Sequence, residues 1–198
     1  RTRLLVAPTA RPLKAGQGYF ADYEIFLPFV AVGVTDRISI GGGISIVPGD
    51  IEQLLYLTPK VTVFTTKHVG AAVGVLYGTT TRFEGDGGGL VYGIGTFGSP
   101  VHALTAGVGF AFGNGGLYKR PVFLLGGESQ VANSIKLISE NYFVLGFEGD
   151  VVVSGAVRFF GDRLAADLGL VTSFEAAKHI RGWPFAPLVS FAYNFGRN

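Results

Sequence analysis

Gly155-Ala156-Val157-Arg158-Phe159-Phe160-Gly161-Asp162-Arg163-Leu164-Ala165-Ala166-Asp167-Leu168-Gly169-Leu170 reads as one β-hairpin, and the architecture follows from it. With Asp162-Arg163 as the turn, Phe159 faces Ala166, Val157 faces Leu168 and Gly155 faces Leu170, all on an apolar side. On the other side Arg158 falls opposite Asp167, Ala156 opposite Gly169 and Ser154 opposite Val171. Opposed side chains in an antiparallel pair touch, and a slip of one residue would exchange the two faces. One register therefore gives a greasy face and a face that carries an ion pair.

The same pattern runs outward in both directions. Tight turns at Val34-Thr35-Asp36-Arg37, Gly98-Ser99-Pro100-Val101 and Phe160-Gly161-Asp162-Arg163 alternate with longer breaks near residues 10–17, 48–58, 82–89, 114–119, 146–150 and 175–184. Twelve strands are predicted, over 2–9, 18–34, 37–47, 59–67, 69–81, 88–98, 101–113, 119–131, 134–145, 151–161, 164–174 and 185–195. The fold class expected is all-β: a single-chain antiparallel transmembrane β-barrel forming one domain over 1–198, with short turns on the periplasmic rim and longer loops outside. An even strand count places both termini on the tight-turn rim.

Composition agrees. Charged residues are 15% of the chain and hydrophobic ones 48%, against about a quarter charged in an ordinary soluble domain. Mean hydropathy is +0.41, yet no stretch approaches the roughly eighteen apolar residues of a spanning helix. A chain this apolar without such a helix enters lipid only as a closed barrel, because lipid cannot satisfy free backbone groups. A soluble sheet-rich protein is the competing reading, and the two-residue period disfavours it. Cysteine is absent, which removes disulfides, thiolate metal sites and thiol nucleophiles. A net charge of +2 without a Lys/Arg run gives no reason to expect nucleic acid as a partner. The chain opens at Arg1 without a signal-peptide core, and reads as a mature or truncated form.

Two further hairpins are less simple. A turn at Thr35-Asp36 sets Leu27 against Ile44 and Ile25 against Ile46 outside, with Arg37, Ser39, Gly41, Gly43 and Ser45 facing in. Around Ser99-Pro100, a two-residue turn puts Leu104, Val108 and Phe110 with Val91 and Phe97 and turns Leu90, Tyr92 and Ile94 inward; a bulge would reverse this. Tyr19, Tyr77, Tyr118, Tyr142, Trp183 and Phe185 gather toward the long-loop rim, and Phe97, Phe159, Phe160, Tyr193 and Phe195 toward the other. Aromatics at both ends are what two interface belts require.

Val32-Gly33-Val34-Thr35-Asp36-Arg37-Ile38-Ser39-Ile40-Gly41-Gly42-Gly43 resembles a hairpin of uncharacterised outer-membrane β-barrel proteins: Gly-x-Thr-Asp, apolar alternation, then Gly-x-Gly. Leu124-Leu125-Gly126-Gly127-Glu128 and Gly155–Gly161 are similar to later strands of such small porin-like barrels. The resemblance implies a Gram-negative outer membrane, an exported precursor and insertion by the barrel-assembly machinery. Such barrels end on an aromatic residue, whereas Gly196-Arg197-Asn198 follows Phe195 here.

Assigning the inner face strand by strand gathers Asp22, Glu24, Arg37, Glu128, Lys136, Glu140, Arg158 and Asp167 in the lumen. Facing lipid instead would cost roughly 2–4 kcal/mol for each Arg or Lys at mid-depth. These charges either tune a passage or pair off and brace the wall. Twelve strands about 4.8 Å apart and tilted near 40° enclose a backbone diameter of roughly 24 Å, and an opening on the order of 10 Å or less after side chains. Gly41/Gly43 and Gly107/Gly109 would keep it open. Pro8, Pro28 and Pro187 fall within strands one, two and twelve, neighbours across the closure, and mark a seam that bends the wall, admits an apolar ligand or binds a partner. The apolar loop Pro48–Leu57 would cover the mouth, lie on the outer leaflet or dock a protein. His68, His102 and His179 do not converge, no His-x-Ser pair occurs, and Gly85–Gly89 lacks the lysine and helix of a phosphate cradle. No catalytic residue, metal site or cofactor is expected. The function expected is a narrow passive channel for small polar solutes or ions. A sealed anchor barrel in a larger assembly and a lateral transporter of small apolar molecules are the alternatives.

Overall fold

The computed structural model describes residues 2–49, 52–81, 87–145, 150–179 and 182–196. Its strands are β1 (Gly18–Tyr23), β2 (Leu27–Gly33), β3 (Ile38–Ile44), β4 (Leu54–Leu57), β5 (Lys60–Thr65), β6 (Val69–Thr80), β7 (Gly88–Gly98), β8 (His102–Gly113), β9 (Gly116–Ala132), β10 (Ile135–Val144), β11 (Val151–Phe160), β12 (Leu164–Ser173) and β13 (Ala186–Phe195). Every neighbouring pair is antiparallel, and β13 closes on β1. Pro59 divides one stave into β4 and β5. Thr58 still exchanges backbone hydrogen bonds with Gly41, and Val75 N–H donates to the Pro59 carbonyl at 3.0 Å. The ring is therefore a closed barrel of twelve staves.

The decisive hairpin has the expected register, with Phe159 opposite Ala166, Val157 opposite Leu168, Arg158 opposite Asp167 and Ser154 opposite Val171. The two-residue alternative holds around Pro100: Phe97 faces Leu104 and Val91 faces Phe110, with Ile94 buried inside. Val30, Val73, Leu104, Leu137 and Leu168 stand bare on the outer surface.

Five expectations are corrected. Residues 2–9 form no strand, and the span 18–34 is two strands joined by the turn Glu24-Ile25-Phe26. The count of twelve survives because these errors cancel. The β2–β3 register is shifted by one residue, pairing Phe29 with Gly43 and Ala31 with Gly41; Ile25 lies in a turn and not against Ile46. Val34 and Thr35 both donate to the Ile38 carbonyl, so this loop holds one residue more than the assumed turn. The predicted loop 48–58 contains β4, and the break at 175–184 begins with a short helix α1 (Phe174–His179). There Glu175 accepts from Lys178 and His179, hydrogen bonds that hold its carboxyl below the usual range.

The glycines do not leave the lumen empty. Tyr92 lies directly opposite Gly74, and Tyr56 opposite Gly43. Each ring lies where the glycine's Cβ would stand. Phe29 covers Gly41, Ile94 covers Gly107 and Leu90 covers Gly109. Glycine thus makes room for a neighbour's side chain, as edge glycines do under aromatic rings. Gly74→Val is expected to cost about 1–3 kcal/mol by overpacking against Tyr92 and the Pro59 carbonyl. Gly93→Val, with nothing within 4 Å of the new Cβ, is expected to be near neutral. Urea titration of the refolded protein in lipid vesicles separates the two.

Candidate functional site

Residues 2–13 enter the barrel from the tight-turn rim and fill its lower half. Gly33 and Gln17 anchor the crossing at the rim, through Gly16 N–H to the Gly33 carbonyl and Gly33 N–H to the Gln17 carbonyl. Beyond it the segment folds into a small hairpin, with Thr9 N–H on the Thr2 carbonyl and Leu4 N–H on the Ala7 carbonyl, both 2.8 Å. Leu4, Leu5, Thr9 and Ala10 are completely buried.

The wall charges hold this plug. Asp167 accepts from Arg158 Nε at 2.6 Å and Nη2 at 2.8 Å, from Ser190 Oγ at 2.8 Å and from Arg3 Nη1 at 3.0 Å. Arg158 also donates to the carbonyls of Arg3 and Leu4. Glu140 turns its carboxylate to three successive plug amides, Leu5 at 2.8 Å, Val6 at 3.1 Å and Ala7 at 3.1 Å, and takes the Tyr142 hydroxyl at 2.6 Å. Glu128 bridges Lys136 and Arg11, each at 2.7 Å. On the opposite wall Lys60 Nζ donates to the carbonyls of Thr9 and Arg11, and Ala10 N–H reaches Thr96 Oγ1 at 2.9 Å. Buried charge is tolerable here because each ion meets an opposite ion or backbone dipoles aimed at it.

Five of the eight predicted lumen charges are thus brought together: Glu128, Lys136, Glu140, Arg158 and Asp167. The other three are not. Asp22 pairs with the outward Phe191, so it stands on the outer parity of β1. Glu24 sits in the β1–β2 turn, where its carboxylate takes the Val189 N–H at 3.0 Å. Arg37 is exposed at a tight turn and gives the wall only its carbonyl, to Thr62. Arg3, Arg11 and Lys60 were missed. Five carboxylates against three bases was the available signal that cations were lacking.

The aromatics also divide. Tyr77, Tyr118, Trp183, Phe185, Phe159, Tyr193 and Phe195 are exposed, with Trp183 and Phe185 in contact at 5.1 Å between centroids. Tyr19 is buried in the lumen beside Phe29, and Tyr142 points in to Glu140. Both residues start from strand positions with inward parity, which rim proximity alone does not reveal. Pro8 belongs to the plug and not to a strand, bridging Arg3; Pro28 and Pro187 do lie in β2 and β13. His102 Nδ1 meets Ser129 Oγ at 2.9 Å on the outer surface; His68, at the β5–β6 turn, gives its carbonyl to Gly98 N–H, and His179 ends α1 against Glu175. Residues 82–86 of the Gly-rich loop, with Asp50 and Ile51, lie outside the described residues.

Above the plug the lumen changes character. A chamber of about 880 Å³ is floored by Val6, Ala7 and Pro8 of the plug and walled by Leu54, Leu76, Leu90, Tyr92, Leu124 and Leu188. Phe29 and Tyr56 stack in parallel along its side, 5.9 Å apart.

No protein-family model and no curated protein matches the chain. Among solved structures, the fold is similar to that of a KdgM porin in complex with disordered oligogalacturonate. The TM-score is 0.67 at 6% identity, covering 91% of this chain and 98% of that one. A second KdgM porin structure gives 0.66 with the same identity and coverage. At this identity the likeness is one of fold.

Proposed function

We propose that this chain is a barrel of the Gram-negative outer membrane that passes small molecules, and that residues 2–13 are its resident plug. The observation that carries this is the seating of the plug: its backbone N–H groups on Glu140 and its carbonyls on Lys60, inside a wall whose outer face is apolar. That outer face favours acyl chains over water. The full-length likeness to a porin fold supports the same placement. The tight-turn rim would face the periplasm, as short turns do in such barrels, and insertion would use the barrel-assembly machinery. The reading is non-enzymatic. An acidic oligosaccharide, the ligand of that KdgM complex, is not supported as cargo, because the lumen cations Arg3, Arg11, Lys60, Lys136 and Arg158 are spent on Asp167, Glu128 and backbone carbonyls.

A sealed scaffold is the second reading, favoured by the full partnering of Glu128, Glu140 and Asp167. Planar-bilayer recordings distinguish them. The intact chain is expected to be nearly silent, and a variant lacking residues 1–13 to give stepwise conductance. Silence from both supports the scaffold; equal conductance from both removes the plug as the closing element.

A further inference from the structure

We propose that the chamber above the plug binds one uncharged apolar molecule, which reaches it from the surrounding bilayer through a gap beside the β1–β2 turn. This rests on the barrel being embedded in a membrane and is independent of whether the plug ever leaves. The chamber's 880 Å³ lies within the roughly 300–1,000 Å³ of small-molecule sites. Leu54 and Leu76 line it, yet remain 43% and 41% exposed. Apolar side chains left bare toward an interior space gain by burial against an apolar ligand.

The charge pattern selects the class. Arg3, Arg11, Lys136 and Arg158 do not line the chamber; Lys60 does, but it is buried and its Nζ is engaged by the Thr9 and Arg11 carbonyls of the plug. The charged group at the gap is Glu24, a carboxylate that also lines the chamber and repels anions.

The gap follows from unequal strands. β1 has six residues while β13 has ten. Their pairing runs only to Tyr23 and Ser190, and Glu24 completes it at Val189 with its own N–H and its side chain. Beyond that, Ala186–Leu188 pair with β12 alone and border the chamber. Pro187 occupies the position whose N–H would point into the gap, as that of Val189 does two residues on, so no donor is stranded there. On the other side the turn is closed to β3 by Ile46 N–H on the Phe26 carbonyl at 2.7 Å. Six residues at about 3.3 Å each, tilted near 40°, set the turn roughly 15 Å above the lower rim, inside an apolar band about 25 Å tall. The turn is itself strained, with φ of 55° at Glu24 and 69° at Ile25, a region β-branched residues avoid. It presents Ile25, 67% exposed, at that depth. Strain of this kind persists where the surroundings enforce it, and clusters at ligand sites.

The test uses the full chain in phosphatidylcholine vesicles, with N-phenyl-1-naphthylamine dissolved in the bilayer as probe. Saturable enhancement of its emission, at one probe per chain above protein-free vesicles, is expected. Gly78→Phe fills the chamber, since a Cβ there meets only the Leu54 side chain at 3.4 Å and the Leu55 carbonyl at 3.8 Å. It should weaken binding by about tenfold or more, as should Leu76→Gln, which decides the matter if the first variant does not fold. The sulfonated analogue 1-anilinonaphthalene-8-sulfonate should not compete. Ile25→Asp, which sets a second carboxylate at the gap, should slow loading from lipid by about fivefold. Undiminished binding in both chamber variants overturns the site, equal competition by the sulfonate overturns the uncharged class, and an unchanged loading rate overturns the lateral route. None of these outcomes depends on the conductance of the plug-deleted chain.

Discussion

Asp167→Ala is expected to destabilise the folded barrel by about 3–5 kcal/mol, the cost of leaving a buried partner charge uncompensated. Asp167 is fully buried and receives four donors on two oxygens, from Arg158, Ser190 and Arg3. Removing it leaves two guanidinium groups side by side. Arg3 can leave with the plug, but Arg158 is fixed to β11 and cannot. Replacing both wall residues, in Asp167→Leu with Arg158→Met, should recover much of the loss, because a buried pair is often no better than apolar residues of similar volume. Denaturant unfolding of the three proteins in lipid vesicles measures this. A single variant as stable as the parent would show that Asp167 does not carry the network.

Glu140→Ala should release the middle of the plug without unfolding the wall. Its carboxylate accepts from Leu5, Val6 and Ala7 and from the Tyr142 hydroxyl. Hydrogen bonds to a charged acceptor contribute about 1.5–3 kcal/mol each. Losing two or three, with water replacing part, leaves a deficit of about 3 kcal/mol, or roughly a hundredfold in the docking equilibrium. Amide exchange over residues 2–13 should accelerate by that order while exchange in β10 and β11 stays slow. Glu140→Gln, which keeps one acceptor oxygen, should fall between. Uniform acceleration across plug and wall would contradict a local role.

The wall was readable from the chain because its information is local. The Asp162-Arg163 turn fixes register, and the two-residue period then assigns both faces, which places Arg158 and Asp167 in the lumen; the same period carried strand by strand places Lys136 and Glu140 there. Asp22 failed through the same rule applied from the wrong turn: two residues at Thr35-Asp36 would put the even positions of 18–34 inside, whereas the longer loop between Val34 and Ile38 puts Tyr19, Ala21, Phe29 and Ala31 there. The turn at Glu24 escaped separately, because its positive φ carries no glycine to announce it. The plug failed for a different reason. Thr2 to Leu13 is short and alternates weakly, and its partners are distant in sequence, Lys60 on one wall and Glu140 on the other. No period in a single sequence encodes a segment held by its backbone. The chamber is likewise a product of side chains lying over glycines on neighbouring strands, visible only once register is known across several pairs.

A cysteine pair decides whether residues 2–13 occupy the lumen. The chain has no cysteine of its own. A Cβ at Gly70 would stand 3.5 Å from the Ala10 Cβ, within the roughly 3.5–4.5 Å that a disulfide spans. Ala10→Cys with Gly70→Cys should therefore oxidise within the folded, membrane-inserted barrel to an intramolecular bond, and the oxidised protein should stay silent in bilayers. Two thiols that remain free under oxidant, and react with a water-soluble maleimide, would show that the segment lies elsewhere.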